Sequence, residues 1–212
     1  MNTSAGLPAP TKIDGLPLGR PHDRSSDALI LSTTVDLLAE RAYERVTMDE
    51  VAARTGKAKT TLYRRWATKD DLVIAAIRSA GHPPEIDHLP DRGSLRLDLL
   101  AVVDSPWLGG ATRRISILRT LISAARSSEE LADVVRAEIT EPYIEIYRRL
   151  FDRAIDSGEI PRELAARVPV LADVLPAMSA HRLSFSREPV ERDFFVSVID
   201  DVILAALGHS PR

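Results

Sequence analysis

Residues 47–72, TMDEVAARTGKAKTTLYRRWATKDDL, constrain this chain more than any other stretch. They read as a short capped helix, a glycine turn, a second short helix and the start of a third. Thr47 with Glu50 three residues on has the spacing of a capping box, in which each side chain satisfies an orphan backbone donor of the first turn. Met48, Val51, Ala52 and Thr55 fall at i, i+3, i+4 and i+7, so one face of the first helix is available for burial. Gly56 stands where the chain must turn sharply, and glycine enters left-handed geometry without a Cβ clash. In the next helix Ala58, Leu62 and Trp66 are four apart and share one side. At about 100° per residue, Thr60 and Arg64 point nearly opposite, flanked by Lys59, Thr61 and Tyr63.

That outer face is cationic. Between Arg54 and Arg65 the chain carries Arg54, Lys57, Lys59, Arg64 and Arg65 with no acidic residue among them. Two short helices joined by a tight turn, the second one basic, is the plan of a helix-turn-helix reader of double-stranded DNA. Lysine and arginine reach guanine edges or phosphates, threonine meets a thymine methyl or a phosphate, and a tyrosine hydroxyl anchors a phosphate. The expectation is Lys59, Thr60 and Arg64 at bases, with Thr47, Thr61, Tyr63, Arg65 and Lys69 at phosphates and Lys57 on the same surface. The rival is a solvated face beside a structural turn, because helix-turn-helix patterns have many false positives. The single sign of charge and the helical context on both sides weigh against it.

The formal net charge of −3 is unfavourable for DNA taken whole, but its distribution helps. Residues 1–80 hold 12 lysines and arginines against 10 acidic residues, and the remainder holds 16 against 21. A locally basic head on an acidic body directs attraction to one end.

Residues 24–77 resemble the DNA-binding domain of the TetR (tetracycline repressor) family. The resemblance lies in Thr47 with Val51 and Ala52 for the first helix, Gly56 for the turn, and Thr61, Leu62, Tyr63 and Trp66 for the recognition helix. Lys69 and Leu72 match the start of the following helix. The block LYRRWATKDDL is similar to a branch of the family in which tryptophan replaces the more frequent phenylalanine. Three positions depart from the pattern. Ala42 replaces the common glycine at the end of the first helix, making a less left-handed turn. Lys57 replaces an apolar residue and Ala58 the usual serine cap, leaving Thr55 or Gly56 as alternative starts of the recognition helix.

The rest of the chain predicts an all-α fold: an N-terminal three-helix DNA-binding domain and a C-terminal helical regulatory and dimerisation domain. Residues 1–23, rich in proline, glycine and alanine, read as a flexible tail; Lys12, Arg20 and Arg24 could make it an arm along a groove, or it has no role. Residues 24–80 comprise the DNA-binding domain with its linking helix, and 81–212 the second domain. In the opening helix Ala28, Leu31, Val35, Leu38 and Ala42 form the inner stripe, widened by Ile30, Thr34 and Leu37. Residues 81–93, with three prolines and both end positions glycine, read as a loop. Helical patterns then cover 94–104, 111–125, 129–139, 142–156, 163–183 and 190–207.

The last two helices are apolar over more than one stripe, so each needs two partners. Leu171, Leu175, Met178, Phe195, Ile199, Val202 and Ile203 are the candidates for contact with a second copy. The family resemblance implies the same homodimer, built from a four-helix interface. A twofold dimer sets two recognition helices about one DNA turn apart, or somewhat more, over a palindrome. Trp107, Leu108, Ile117, Leu118, Leu121, Tyr143, Tyr147, Leu150 and Phe151 are candidates for an apolar effector cavity, with plain helical core as the equal alternative. The resemblance implies a small-molecule inducer there.

Enzymes are the main rival class. His22, His82, His88, His181 and His209 are scattered, no pair has metal-ligand spacing on a helix, and there is no phosphate-binding glycine loop or serine elbow. No catalytic role, metal or cofactor is expected. The absence of cysteine fits a reducing cytoplasm. The polar start MNTSAGLPAP argues against a secretory signal, and no apolar run approaches the roughly 20 residues that span a bilayer. The reading is a ligand-responsive repressor; the alternative is a helical interaction module that has lost DNA reading or ligand control.

Overall fold

A computed structural model of the protein describes residues 24–81, 88–186 and 190–208. Every regular element among them is helical. The proposed N-terminal arm therefore lies outside the described residues, as do His22, His82 and His209.

Helix α1 (Arg24–Glu40) lays Ile30, Thr34, Leu37 and Leu38 fully into the core. Its inner face is rotated from the expected stripe: Val35 and Leu38 are buried, but Ala28 and Ala42 are exposed. The Thr34 hydroxyl tolerates the interior because it donates to the Ile30 carbonyl at 2.8 Å, within its own helix. Ala42 is extended (φ −62, ψ 148), a conformation open to any residue, so the turn there needs no glycine.

Helix α2 (Met48–Thr55) buries Met48, Val51 and Ala52 and starts at Thr47, whose side chain accepts the Glu50 N–H. The expected capping box is only half made. The Glu50 carboxylate turns instead to Arg54 at 3.2 Å and Arg41 at 3.3 Å. A complete box forms one helix later, where Thr68 and Asp71 exchange bonds of 3.0 and 2.9 Å at the start of α4 (Lys69–Ser79). Gly56 closes α2 in the left-handed region (φ 64, ψ 21). Helix α3 (Lys59–Tyr63) then begins at Lys59, not at Thr55 or Gly56, with Ala58 as an N-cap that offers no side-chain acceptor.

The body comprises α5 (Leu95–Val103), α6 (Ala111–Ala125), α7 (Glu129–Val135), α8 (Glu141–Asp156), α9 (Val168–Phe185) and α10 (Arg192–Ser197). The two helices expected at 129–139 and 142–156 are one run, because a π turn, Arg136–Thr140, joins α7 to α8. Pro142 has no N–H to offer the preceding turn, and the wider turn carries the chain past that gap. Another π turn, Val198–Leu204, extends α10. Bidentate pairs tie this last segment to α5 and its end: Arg96 with Asp200, and Arg192 with Asp104. Each guanidinium holds its partner carboxyl below the ordinary aspartate range.

Two cores result. One begins in α1 to α4 and continues without a break into Leu108, Ile117, Leu121, Leu131 and Ile139 of the body. The other joins α5, α8, α9 and the C-terminal turn around Phe151, Leu150 and Ile199. The N-terminal head thus shares its interior with α6 and α7; the Thr120 hydroxyl donates to the Arg41 carbonyl across that junction, and Arg113 pairs with Asp36. Among the described residues no helix is long and apolar enough to cross a membrane.

Candidate nucleic-acid interface and inner cavity

Helix α3 is short, but its winding continues through Arg64 to Trp66, whose N–H reaches the Leu62 carbonyl at 2.9 Å. Leu62 is wholly buried and pins the helix to the head. Opposite it, Lys59, Thr60, Tyr63 and Arg64 are exposed, with Thr61 and Lys57 half-buried at the margins. Tyr63 leaves half its surface in water, at 52%. No carboxylate among the described residues pairs with Lys57 or Arg64. Lys59 meets Asp49 of α2 in a pair open to solvent, with both side chains more than half exposed. Such a pair contributes little and can be exchanged for a phosphate. Thr47 is exposed at the start of α2, beside this surface in the helix-turn-helix plan.

Two residues expected at phosphates have other work. Arg65 pairs with Asp27 of α1 and its side chain is only 13% exposed, so it ties the end of the recognition helix to the head. Lys69 donates to the Tyr43 carbonyl at 3.1 Å and lies 3.8 Å from the centre of the Tyr43 ring. The Tyr43 hydroxyl in turn donates to Asp70, which with burial pushes its pKa well up. Arg54 is likewise committed, bidentate to Glu40. Of the five cations in the run, two serve to brace the head. Sequence spacing does not reveal this because the acceptors sit on α1.

The body encloses a cavity of about 300 Å³ between α5, α6, the π turn, α8, α9 and α10. Of the candidates, Leu118, Tyr143 and Tyr147 line it, whereas Trp107, Leu108, Ile117, Leu121, Leu150 and Phe151 do not. Ile117, Leu121 and Phe151 are core side chains packed in the two interiors. Trp107 stands behind the wall, edge-on to Tyr143 with centroids 5.9 Å apart. The lining that sequence reasoning missed includes Arg114, Ile115, Ile122 and Leu183. Helix α6 is apolar on two faces: Ile117, Leu121 and Ala124 fill the first core, and Ile115, Leu118 and Ile122 face the cavity. That double face was the available signal.

Arg114 is 6% exposed and donates to the carbonyls of Ser105 (2.8 Å) and Val103 (2.5 Å). The Tyr143 hydroxyl is buried with no hydrogen-bond partner, and burial raises its pKa to about 12. Tyr147, buried more deeply, is pushed higher still.

The dimer candidates divide. Leu171, Leu175, Ile199 and Ile203 are buried in the chain's own second core, so their burial needs no second copy. Phe195 and Leu175 also line the cavity. Met178 and Val202 are exposed, and they share the surface of α9 and the C-terminal turn with Val170 and Phe185, which were not anticipated. His181 is exposed on this face beside the Phe185 ring. Among the described residues no group of three histidines or carboxylates could hold a metal.

Comparisons with known proteins cover both regions. Residues 30–76 match the family described as bacterial regulatory proteins, tetR family, and residues 89–202 match the tetracyclin repressor-like C-terminal domain. A DNA-binding transcriptional repressor TetR of Mycobacteroides abscessus is 31% identical over 185 residues, 87% of this chain and 95% of that protein. An HTH-type transcriptional regulator of Mycobacterium tuberculosis is 32% identical over 199 residues, 90% of this chain and 94% of its own. A crystal structure of a TetR-family transcription regulator shares 27% identity at a TM-score of 0.56, over 84% of this chain and 97% of that one. GusR of Salmonella enterica, at 18% identity, has the same fold with a TM-score of 0.63 over 88% and 97% of the two chains. With a helix-turn-helix head, a helical body and both family domains in register, the chain belongs to the TetR family of DNA-binding transcriptional regulators.

Proposed function

We propose that this regulator is a cytoplasmic homodimeric repressor that reads a palindromic operator and is released by a small molecule bound in the body. The exposed cationic outer face of α3, with no carboxylate among the described residues paired to Arg64 or Lys57, carries the DNA-reading part of this proposal. Lys59, Thr60 and Arg64 take base edges, and Lys57, Thr47, Thr61 and Tyr63 take phosphates. Arg65 and Lys69 act indirectly by holding α3 and α4 against α1 and Tyr43.

The second copy docks on the α9 face, where Val170, Met178 and Phe185 leave apolar surface in water, and on exposed Val202 of the C-terminal turn. Ligand control runs through α4. Its C-terminal end is held to the body by Arg78 to Glu138 of the π turn at 2.9 Å, and by the Trp107 Nε1–H donating to the Gly81 carbonyl at 3.1 Å. Both ties lead to the cavity wall, one through the π turn and one through the Trp107–Tyr143 contact. A ligand that fits one arrangement of this wall better than another tilts α4, alters the spacing of the two recognition helices and lowers operator affinity by its differential binding.

Protection mapping on the DNA flanking the protein's own coding region tests the reading. The expected footprint is palindromic, and affinity falls steeply with salt as phosphate contacts release counterions. Binding without salt dependence would favour an interaction module instead.

A further inference from the structure

The inner cavity has an uneven chemistry that narrows its ligand, and the inference rests on the ligand-control reading above. Its wall is apolar for most of its extent and, among the described residues, contains no aspartate or glutamate. Several of its polar groups are committed. The Ser179 hydroxyl donates to the Leu175 carbonyl at 2.6 Å, Thr140 to Val135 at 3.4 Å, and Arg136 is paired with Asp133 and Glu141. Arg114 spends two donors on backbone carbonyls but keeps its charge, with no carboxylate among the described residues paired to it. Among the described residues of this wall, the Tyr143 hydroxyl is the one fully buried polar atom without any partner. Leaving a buried hydroxyl unpaired is costly unless something fills its place. Arg114 favours negative charge at both tyrosine hydroxyls, so its field reaches the space they face.

We infer that the cavity takes an apolar molecule carrying a carbonyl or carboxylate oxygen, which accepts a hydrogen bond from Tyr143 Oη, and that it rejects lipophilic cations. The volume of about 300 Å³ sits at the low end for small-molecule sites, which suits one short chain or one or two rings. A cation would meet Arg114 with no carboxylate on the wall to offset the repulsion.

The test uses the full-length protein and three probes with the same hydrocarbon: methyl decanoate, decanoate and decyltrimethylammonium. Binding is read by tryptophan fluorescence, since Trp107 touches Tyr143, and by thermal shift. The ester or the carboxylate should bind, the stronger of the two identifying a neutral or an anionic head, and the cation should not. Tyr143→Phe should weaken the better probe about fivefold or more, the worth of one hydrogen bond. The same variant should melt no lower than the parent, because the hydroxyl it removes has no partner to lose. Equal binding of the cation, no binding of either oxygen-bearing probe, undiminished binding by Tyr143→Phe, or a melting point lowered by several degrees would each overturn the inference. Probes that bind as expected but leave operator affinity unchanged would instead overturn ligand control and leave the cavity chemistry standing.

Discussion

The outer face of α3 and the outer face of α9 are both open to solvent, and they differ in what that exposure costs. On α3 the exposed groups are Lys59, Thr60, Tyr63 and Arg64, whose polar ends are hydrated. They lose little by waiting for DNA, and they gain when phosphates replace water and counterions. On α9 the exposed groups include Val170 at 69% and Phe185 at 68%, which gain nothing from water. That face is driven toward a partner by the area it hides. The lesson is that a cationic helix face can wait for an occasional partner, whereas an apolar one calls for a constant one. The same helix α9 also shows that apolar content does not tell which side faces out: Leu171 and Leu175 turn inward and Val170 and Met178 outward.

The largest effect that separates inner from outer apolar residues comes from Ile199→Ala. It removes a fully buried side chain and should cost about 2–5 kcal/mol of folding stability in a denaturant melt. Phe185→Asp should leave the monomer's stability nearly unchanged yet weaken self-association by about 2 kcal/mol or more, read by sedimentation across concentrations. A dimer that survives Phe185→Asp intact would dissolve the contrast between the two faces. On α3, Lys59→Ala should cost roughly 1–3 kcal/mol of operator affinity and relax preference at one base position, measured by anisotropy on a panel of substituted sites. Tyr63→Phe should weaken all sequences alike, by about 1 kcal/mol. Unchanged affinity and specificity in Lys59→Ala would remove that residue from the base-reading set. The smallest effect on stability is expected from Arg78→Ala, whose own side chain is 59% exposed. Stability should hardly move, while the ligand-induced change in operator affinity should fall by about 0.5–2 kcal/mol.

The head was legible because its signals are local. Thr47 caps the helix it precedes, Gly56 takes the left-handed turn, and Met48, Val51 and Leu62 point inward from spacing alone. What was not legible depends on partners distant in sequence. Arg65 is drawn to Asp27 of α1 and Lys69 to Tyr43 of the turn that follows α1, acceptors that the fold brings beside them from far along the chain. The cavity was half legible. Tyr143 and Tyr147 sit on one face of α8, but Ile117 and Phe151 differ from Ile115 and Leu118 only in which neighbour their helix face meets.

Periodicity, capping residues and the one-signed run from Arg54 to Arg65 determined by themselves that the chain is helical and that α3 presents a cationic edge. These are properties of a helix and its nearest turns, and they survive whatever the helix packs on. Packing alone decided which basic residues stay free, which apolar stripes close on their own chain, and that the Tyr143 hydroxyl ends up buried without an acceptor. Those outcomes turn on distances between helices far apart in sequence, and no single helix carries that information.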